Sequence, residues 1–182
     1  MTIVETALEA ADKWGLPVKQ IAAQDEPGGR DRREAERAVT YWDGKVGELG
    51  DAATLTALDL AAIEDEEWSN RFLIAVDERV ERSALLAYGT KFAGLLGLPA
   101  KAQAHLPLER QLPRRFSEMF LRGCVEAPKQ GSPVRLEGEI ERAGQRVEQY
   151  RAVFIPVKLR PGARTHFAFG AFNSRIVEPA MA

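Results

Sequence analysis

Hydrophobic residues recur at two different spacings along the chain, and the change of spacing predicts where helices give way to strands. Between residues 31 and 49 they lie alternately four and three residues apart, the spacing of a helix that packs one face against another element. From residue 135 onward they alternate with polar residues, which is typical of strands with one buried face. The pattern therefore predicts a helical N-terminal part and a strand-rich C-terminal part.

The stretch 1–50 is predicted to be a helical extension with a linker near residues 26–30. Residues 2–14 have the spacing of a short helix, and Pro27, Gly28 and Gly29 favour a linker. The helix from Asp31 carries an apolar seam, formed by Ala35, Val39, Trp42, Val46 and Leu49. Two interpretations of the seam remain open: a dimer or partner helix, or a flank that packs on the open face of a sheet.

Residues 51–178 are predicted to form the main domain. A loop with a short helix comes first, followed by two strands in residues 71–78 and 81–88. The run from Ser83 to Pro99 is the most apolar of the chain, but Lys91 interrupts it and it is too short to span a membrane. We expect a core strand and then a short helix capped by Thr90, with Lys91 turned outward and Gly97 at its end.

A longer amphipathic helix is predicted over residues 113–127. Pro113 suits the first helical position, and Pro128 and Gly131 are expected to end the helix. One face is apolar, comprising Phe116, Met119, Phe120, Gly123 and Cys124. The charged residues Arg114, Arg115, Glu118 and Arg122 are expected to face solvent.

Three further strands complete the chain, at residues 135–142, 146–159 and 165–177. In the last one, alternation places Phe167, Phe169 and Ala171 on one face and Ala168 and Phe172 on the other. With the two earlier strands, a five-stranded antiparallel sheet with helices on one face is expected. The fold class is therefore α+β.

Several segments taken together resemble the PAS domain superfamily, in a divergent bacterial stand-alone form. They are "YWDG", "RFLIAVDERVERSALLAYGTKFAGLLG", "PRRFSEMFLRG", "YRAVFIPVKL" and "HFAFGAFNS", within residues 41–177. The resemblance implies a non-catalytic signalling module that binds a protein partner, such as a sensor histidine kinase. It also leaves open a small ligand in the core and a homodimer.

Composition and charge limit the classes of partner that we expect for this protein. The chain has 182 residues, of which 45% are hydrophobic, and its net charge of −2 favours neither nucleic acid nor an anionic membrane as a partner. The basic residues between Arg30 and Arg37 alternate with acidic ones, which favours a solvated helix face. No secretory signal is visible and only one cysteine is present, so we expect a cytoplasmic protein.

Few residues are placed so that they could bind a metal or a cofactor or take part in catalysis. His105 and His166 have no neighbours at metal-ligand spacing, and a haem-ligand role for His105 is disfavoured against a loop histidine. Cys124 lies on an apolar helix face and lacks the Asn-Cys-Arg context of flavin-binding relatives, so flavin is disfavoured too. We predict no metal, no cofactor and no catalysis.

A set of apolar side chains is the candidate lining of a ligand cavity between helices and sheet. Its members are Phe92, Leu96, Phe116, Met119, Phe120, Phe154, Phe167 and Phe169. The competing interpretation, which we favour, is that these side chains fill the core. A small α+β enzyme or ligand carrier with a cavity under helix 113–127 remains the alternative function.

Overall fold

The computed structural model describes residues 29–163 and 166–178. The helix predicted over residues 2–14 lies outside the described residues, as does the linker near residues 26–30 up to Gly28. Helix α1 spans Gly29–Leu49, which confirms the helix predicted from Asp31. The compact unit that contains the sheet begins inside this helix, at Glu34, whereas the sequence placed the division after residue 50.

Four short 3-10 turns follow α1, where the sequence predicts a loop with a short helix. They lie at Gly50–Ala52, Leu55–Ala57, Leu60–Glu64 and Glu66–Trp68. The last turn buries Trp68. This segment therefore carries one large core side chain to the start of the sheet without forming a regular helix.

In the part of the chain that the structure describes, the strands form one antiparallel sheet of five. The strands are β1 (Arg71–Val76), β2 (Ala84–Tyr88), β3 (Val134–Glu141), β4 (Val147–Lys158) and β5 (His166–Val177). Their order is β2-β1-β5-β4-β3, with every neighbouring pair antiparallel. The hairpins β1-β2, β3-β4 and β4-β5 join strands that are close in sequence, and only the β1-β5 pairing brings distant parts of the chain together.

Three helices connect β2 to β3 and pack on one face of the sheet, called here the inner face. They are α2 (Thr90–Leu96), α3 (Leu108–Gln111) and α4 (Arg114–Gln130). Side chains of Phe72, Phe154 and Phe172 project from the inner face into the same core as Phe92 and Phe120 of the helices. The α+β class predicted from the sequence, a five-stranded antiparallel sheet with helices on one face, is thereby confirmed.

The start of α2 differs from the prediction. Gly89, not Thr90, occupies the N-cap position, and Thr90 is the first helical residue without a capping side-chain hydrogen bond. The reason is packing, because a β-carbon at residue 89 would overlap the main chain of Trp68 and Ser69. The close approach of two backbones, which only glycine permits, thus sets the start of the helix. Its end is as predicted, with Gly97 in the left-handed conformation at φ 66°.

Helix α4 also differs from the prediction at both ends. Pro113 is its N-cap and not its first helical residue, and Pro128 lies inside the helix and does not end it. A proline so close to the C-terminus removes one main-chain hydrogen bond and leaves the last turn intact. The helix ends at Gly131, which takes the left-handed conformation at φ 65° and donates its N–H to the Ala127 carbonyl.

Candidate interaction face and the core beneath it

The outer face of the sheet, opposite the inner face, has an apolar half and a polar half. Strand alternation places Leu73, Val153, Ile155, Phe169 and Ala171 on this face, and all five are buried. Towards the other end of β3, β4 and β5, the same face carries a ladder of charged and amide side chains that pair across strands. The apolar half must therefore pack against another part of the protein to be shielded from water, whereas the polar half can face solvent.

Helix α1, from Glu34 onward, covers the apolar half of the outer face. The rings of Tyr41 and Phe169 lie with their centroids 5.9 Å apart. Glu36 accepts hydrogen bonds from Nε and Nη2 of Arg135 at 2.9 and 3.0 Å. Since Phe169 and Arg135 belong to two different strands of this face, these contacts place the helix across the sheet.

Arg71 has an unusual environment beneath α1. Its guanidinium lies 4.9 Å from the ring centroid of Tyr41 and 6.0 Å from those of Trp68 and Phe169. The residue is only 5% exposed. Burial lowers the pKa of Arg71, against the opposing effect of Glu67. Aromatic faces supply part of the stabilisation that water would otherwise give this charge.

The Glu36–Arg135 ion pair fixes α1 at the β3 side of the sheet. Burial raises the pKa of Glu36, although the positive charge of Arg135 opposes the shift. Burial likewise lowers the pKa of Arg135 to about 10, against the attraction of Glu36. In both groups the cost of desolvation outweighs the mutual attraction. We therefore infer that this ion pair fixes the position of α1 and adds little to the stability of the protein.

A second polar contact fixes the helix at the β1 side. Glu34 accepts hydrogen bonds from the Lys91 ammonium at 3.0 and 2.9 Å, and from the Asn70 amide at 3.1 Å. Lys91 was expected to be turned outward, but it is half-buried and paired. The lysine that interrupts the apolar run of residues 83–99 thus anchors α1 to α2.

The apolar seam of α1 is divided between buried and exposed residues. Val39 and Trp42 are 5% and 6% exposed, and Ala35 is half-buried. Val46 and Leu49, which continue the same seam, are 42% and 44% exposed. The first part of the seam therefore packs within the protein, and the last turns present an apolar surface to solvent.

The candidate cavity residues on the inner side pack against one another. Phe92, Leu96, Phe116, Met119, Phe120 and Phe154 belong to one buried cluster. Rings from the sheet complete it, since Phe72 and Phe172 each contact several of them at centroid distances between 4.9 and 6.0 Å. Mutual ring contacts of this kind occupy the space between helix and sheet that a ligand would need.

The other two candidates, Phe167 and Phe169, do not join this cluster. They lie on the outer face, where Phe169 contacts Tyr41 and Trp68. Including them in one cavity with Phe154 was wrong, because successive residues of a strand point to opposite faces and β5 presents Ala168, Gly170 and Phe172 to the inner core. Gly170 gives the ring of Phe72 the room it takes on the inner face.

Arg115 and Glu148 form a buried polar contact that the sequence did not indicate. Glu148 is almost fully buried; it accepts a hydrogen bond from Arg115 Nε at 3.0 Å and one from the Ser174 hydroxyl at 3.0 Å. Arg142 lies 3.6 Å from the same carboxylate. Arg115 was expected to face solvent, but it lies over the ring of Phe116 and ties α4 to β4.

Cys124 is buried, and the two histidines lie at a loop position and at the start of a strand. Burial raises the pKa of the Cys124 thiol to about 12, so the thiolate is suppressed at neutral pH. His105 is exposed in the loop before α3, and His166 begins β5 half-buried. Within the described ranges, no three His, Cys, Asp or Glu side chains are grouped so as to hold a metal ion. Nor does any helix in that part of the chain have the length and hydropathy to cross a membrane.

Comparison with known proteins finds similarity in structure only. No family model matches the sequence, and no curated protein matches it significantly. A domain of an HTR-like protein from Haloarcula marismortui is 18% identical, with 59% of this chain and 98% of that chain covered and a TM-score of 0.39. The PAS domain of an HTR-like protein from the same organism is 16% identical, with 64% and 92% covered and a TM-score of 0.34. The LOV protein of Rhodobacter sphaeroides is 17% identical, with 67% of each chain covered and a TM-score of 0.38.

Arg71, Trp68 and Tyr41 form the most distinctive cluster of the outer face, and the sequence interpretation missed it. One signal was present: in "RFLIAV" the arginine has the same phase as Leu73 and Ala75. A charged residue in an apolar phase of a strand indicates a buried charge with specific partners. Trp68 lies only three residues before Arg71, but Tyr41 comes from a distant segment that no local pattern connects to β1.

Proposed function

We propose that this chain is a non-catalytic regulatory module that contacts a protein partner through the exposed end of α1. The observation that carries this proposal is the division of the seam, with Val39 and Trp42 buried and Val46 and Leu49 exposed. A helix that is anchored at one end and apolar at the other offers a fixed surface to a helix of a partner, with the spacing used by paired helices. The PAS-like fold supports a signalling role.

The proposal assigns no ligand to the inner core. The rings of Phe72, Phe92, Phe120 and Phe172 contact one another there, so signal transfer through partner contacts explains the packing better than ligand binding. The alternative of an enzyme or carrier under α4 finds no support, because the side chains that α4 buries against the sheet are almost all apolar. Haem and flavin remain disfavoured by prediction.

Partner capture tests the proposal. The tagged chain is compared with a variant that carries Val46→Glu and Leu49→Glu, and with the control Val125→Glu, an equally exposed apolar position on α4. We expect the double variant to stay folded and to lose a partner, or self-association measured by light scattering, that the wild type and the control retain. Equal binding by all three folded proteins would refute the role of α1.

A further inference from the structure

The guanidinium of Arg71 lies beneath α1 with aromatic rings around it and an unsatisfied nitrogen. Within the described residues, its buried Nη1 atom has no hydrogen-bond partner. The three rings that surround it, those of Tyr41, Trp68 and Phe169, interact with the charge but accept no in-plane hydrogen bond. Buried arginine side chains normally satisfy their N–H groups with a carboxylate, a phosphate or a carbonyl.

The charges around Arg71 do not supply the missing partner. Glu67 acts favourably on the guanidinium from a distance, without a direct ion pair among the described contacts. Arg37 lies one helical turn before Tyr41 on α1, on the side of the helix that covers Arg71, so it adds a second positive charge there and acts in the opposite direction to Glu67. Arg71 and Arg37 carry two positive charges and Glu67 one negative charge, so the three side chains together leave one excess positive charge at this place.

We propose that Arg71 and Arg37 form a binding site for a small carboxylate between α1 and the outer face of the sheet. A carboxylate matches the planar edge of a guanidinium and can accept two hydrogen bonds from it. A single negative charge balances the excess positive charge, whereas the doubly charged form of phosphate exceeds it and is repelled more strongly by Glu67. Because Nη1 is closed to solvent, the ligand must displace a neighbouring side chain, which favours a small acid.

The test uses the full chain with ¹⁵N-labelled arginine, whose side-chain Nε–Hε signals are followed by NMR. Sodium acetate is titrated at constant ionic strength, in parallel with inorganic phosphate, and Arg71→Lys identifies the Arg71 signal. We expect a saturable shift of that signal with acetate, and weaker binding by about tenfold in Arg37→Gln, in which an exposed charge is removed without disturbing the core. Arg79→Gln, an exposed arginine in the turn after β1, is the matched control and leaves the titration unchanged.

Three results would overturn the proposal. A shift of the Arg71 signal that grows in proportion to acetate without saturating, or no shift at all, means that the aromatic rings alone satisfy the guanidinium. Phosphate binding tighter than acetate binding contradicts a site for a single negative charge. If the Arg37→Gln variant binds acetate as tightly as the wild type does, Arg37 is not part of the site. Since the readout is local to Arg71, failure of partner capture through Val46 and Leu49 leaves this test unaffected.

Discussion

Gly123 of α4 lies directly against the ring of Phe154 of β4, so that a β-carbon at residue 123 would overlap three atoms of that ring. Phe154 cannot move aside easily, because it is fully buried and contacts Phe72 and Phe120 on its other sides. The absence of a side chain at one helical position therefore sets the distance between α4 and the sheet.

Replacing Gly123 tests this relationship. We expect Gly123→Ala to lower the free energy of unfolding by about 1–3 kcal/mol, because overpacking outweighs the gain in helix propensity. The control is Gly94→Ala in α2, where a β-carbon meets no atom within 4 Å. That change should be neutral or stabilise by up to about 1 kcal/mol. Urea unfolding followed by circular dichroism measures both, and equal effects would contradict the packing argument.

The divided seam of α1 predicts unequal costs along one helix face. Trp42→Ala should destabilise by about 3–5 kcal/mol, since a large buried side chain is lost from the outer face. Val46→Ala should change the free energy of unfolding by less than about 0.5 kcal/mol, because Val46 is largely exposed. Thermal and urea unfolding compare the two variants. A mild effect of Trp42→Ala would mean that α1 adds little to the stability of the domain.

The buried thiol predicts a dependence of stability on alkaline pH. The pKa of Cys124 is about 12 in the folded state, raised by burial from the ordinary value of 9.0. Above pH 9 the unfolded chain releases this proton while the folded chain keeps it, so the contribution is complete below pH 9 and is lost as pH rises towards 12. Between pH 8 and 10 the wild type should lose about 1 kcal/mol relative to Cys124→Ala.

Thiol reactivity gives an independent check of the same burial. In the native protein Cys124 should react with a disulfide reagent only after unfolding, because neither the thiolate nor a path to it is available. The variant Cys124→Ala with Val125→Cys places a thiol at the neighbouring exposed position and should react at once. Rapid reaction of native Cys124 would show that α4 opens readily.

The buried position of Glu148 predicts that breaking its ion pair costs more stability than breaking an exposed ion pair. Glu148→Gln should destabilise by about 2 kcal/mol, because Arg115 keeps its charge in a half-buried position without a carboxylate. Glu126→Gln breaks the more exposed pair with Arg122 on the surface of α4 and should cost less than about 0.5 kcal/mol. The unfolding free energies of the two variants at neutral pH decide the point. Similar values would mean that water reaches Glu148.

The sequence by itself determined most of the elements and the face that each apolar residue takes within β5 and α4. Alternation in β5 separates Phe167 and Phe169 from Ala168 and Phe172, and helical spacing collects Phe116, Phe120 and Cys124 on one side of α4. These assignments depend only on the repeat of a strand or a helix, which is a local property. The α+β class follows from the order of those elements.

Only the tertiary structure decided what covers each face. The seam of α1 has one spacing throughout, yet Trp42 is buried and Leu49 exposed, because the apolar half of the outer face ends before the helix does. Arg71 acquires its aromatic surroundings from the 3-10 turn just before it, and also from α1 and β5, which are both far from Arg71 in the sequence. Periodicity fixes the direction of a side chain within its element, but the neighbour it meets depends on long-range pairing such as that of β1 with β5.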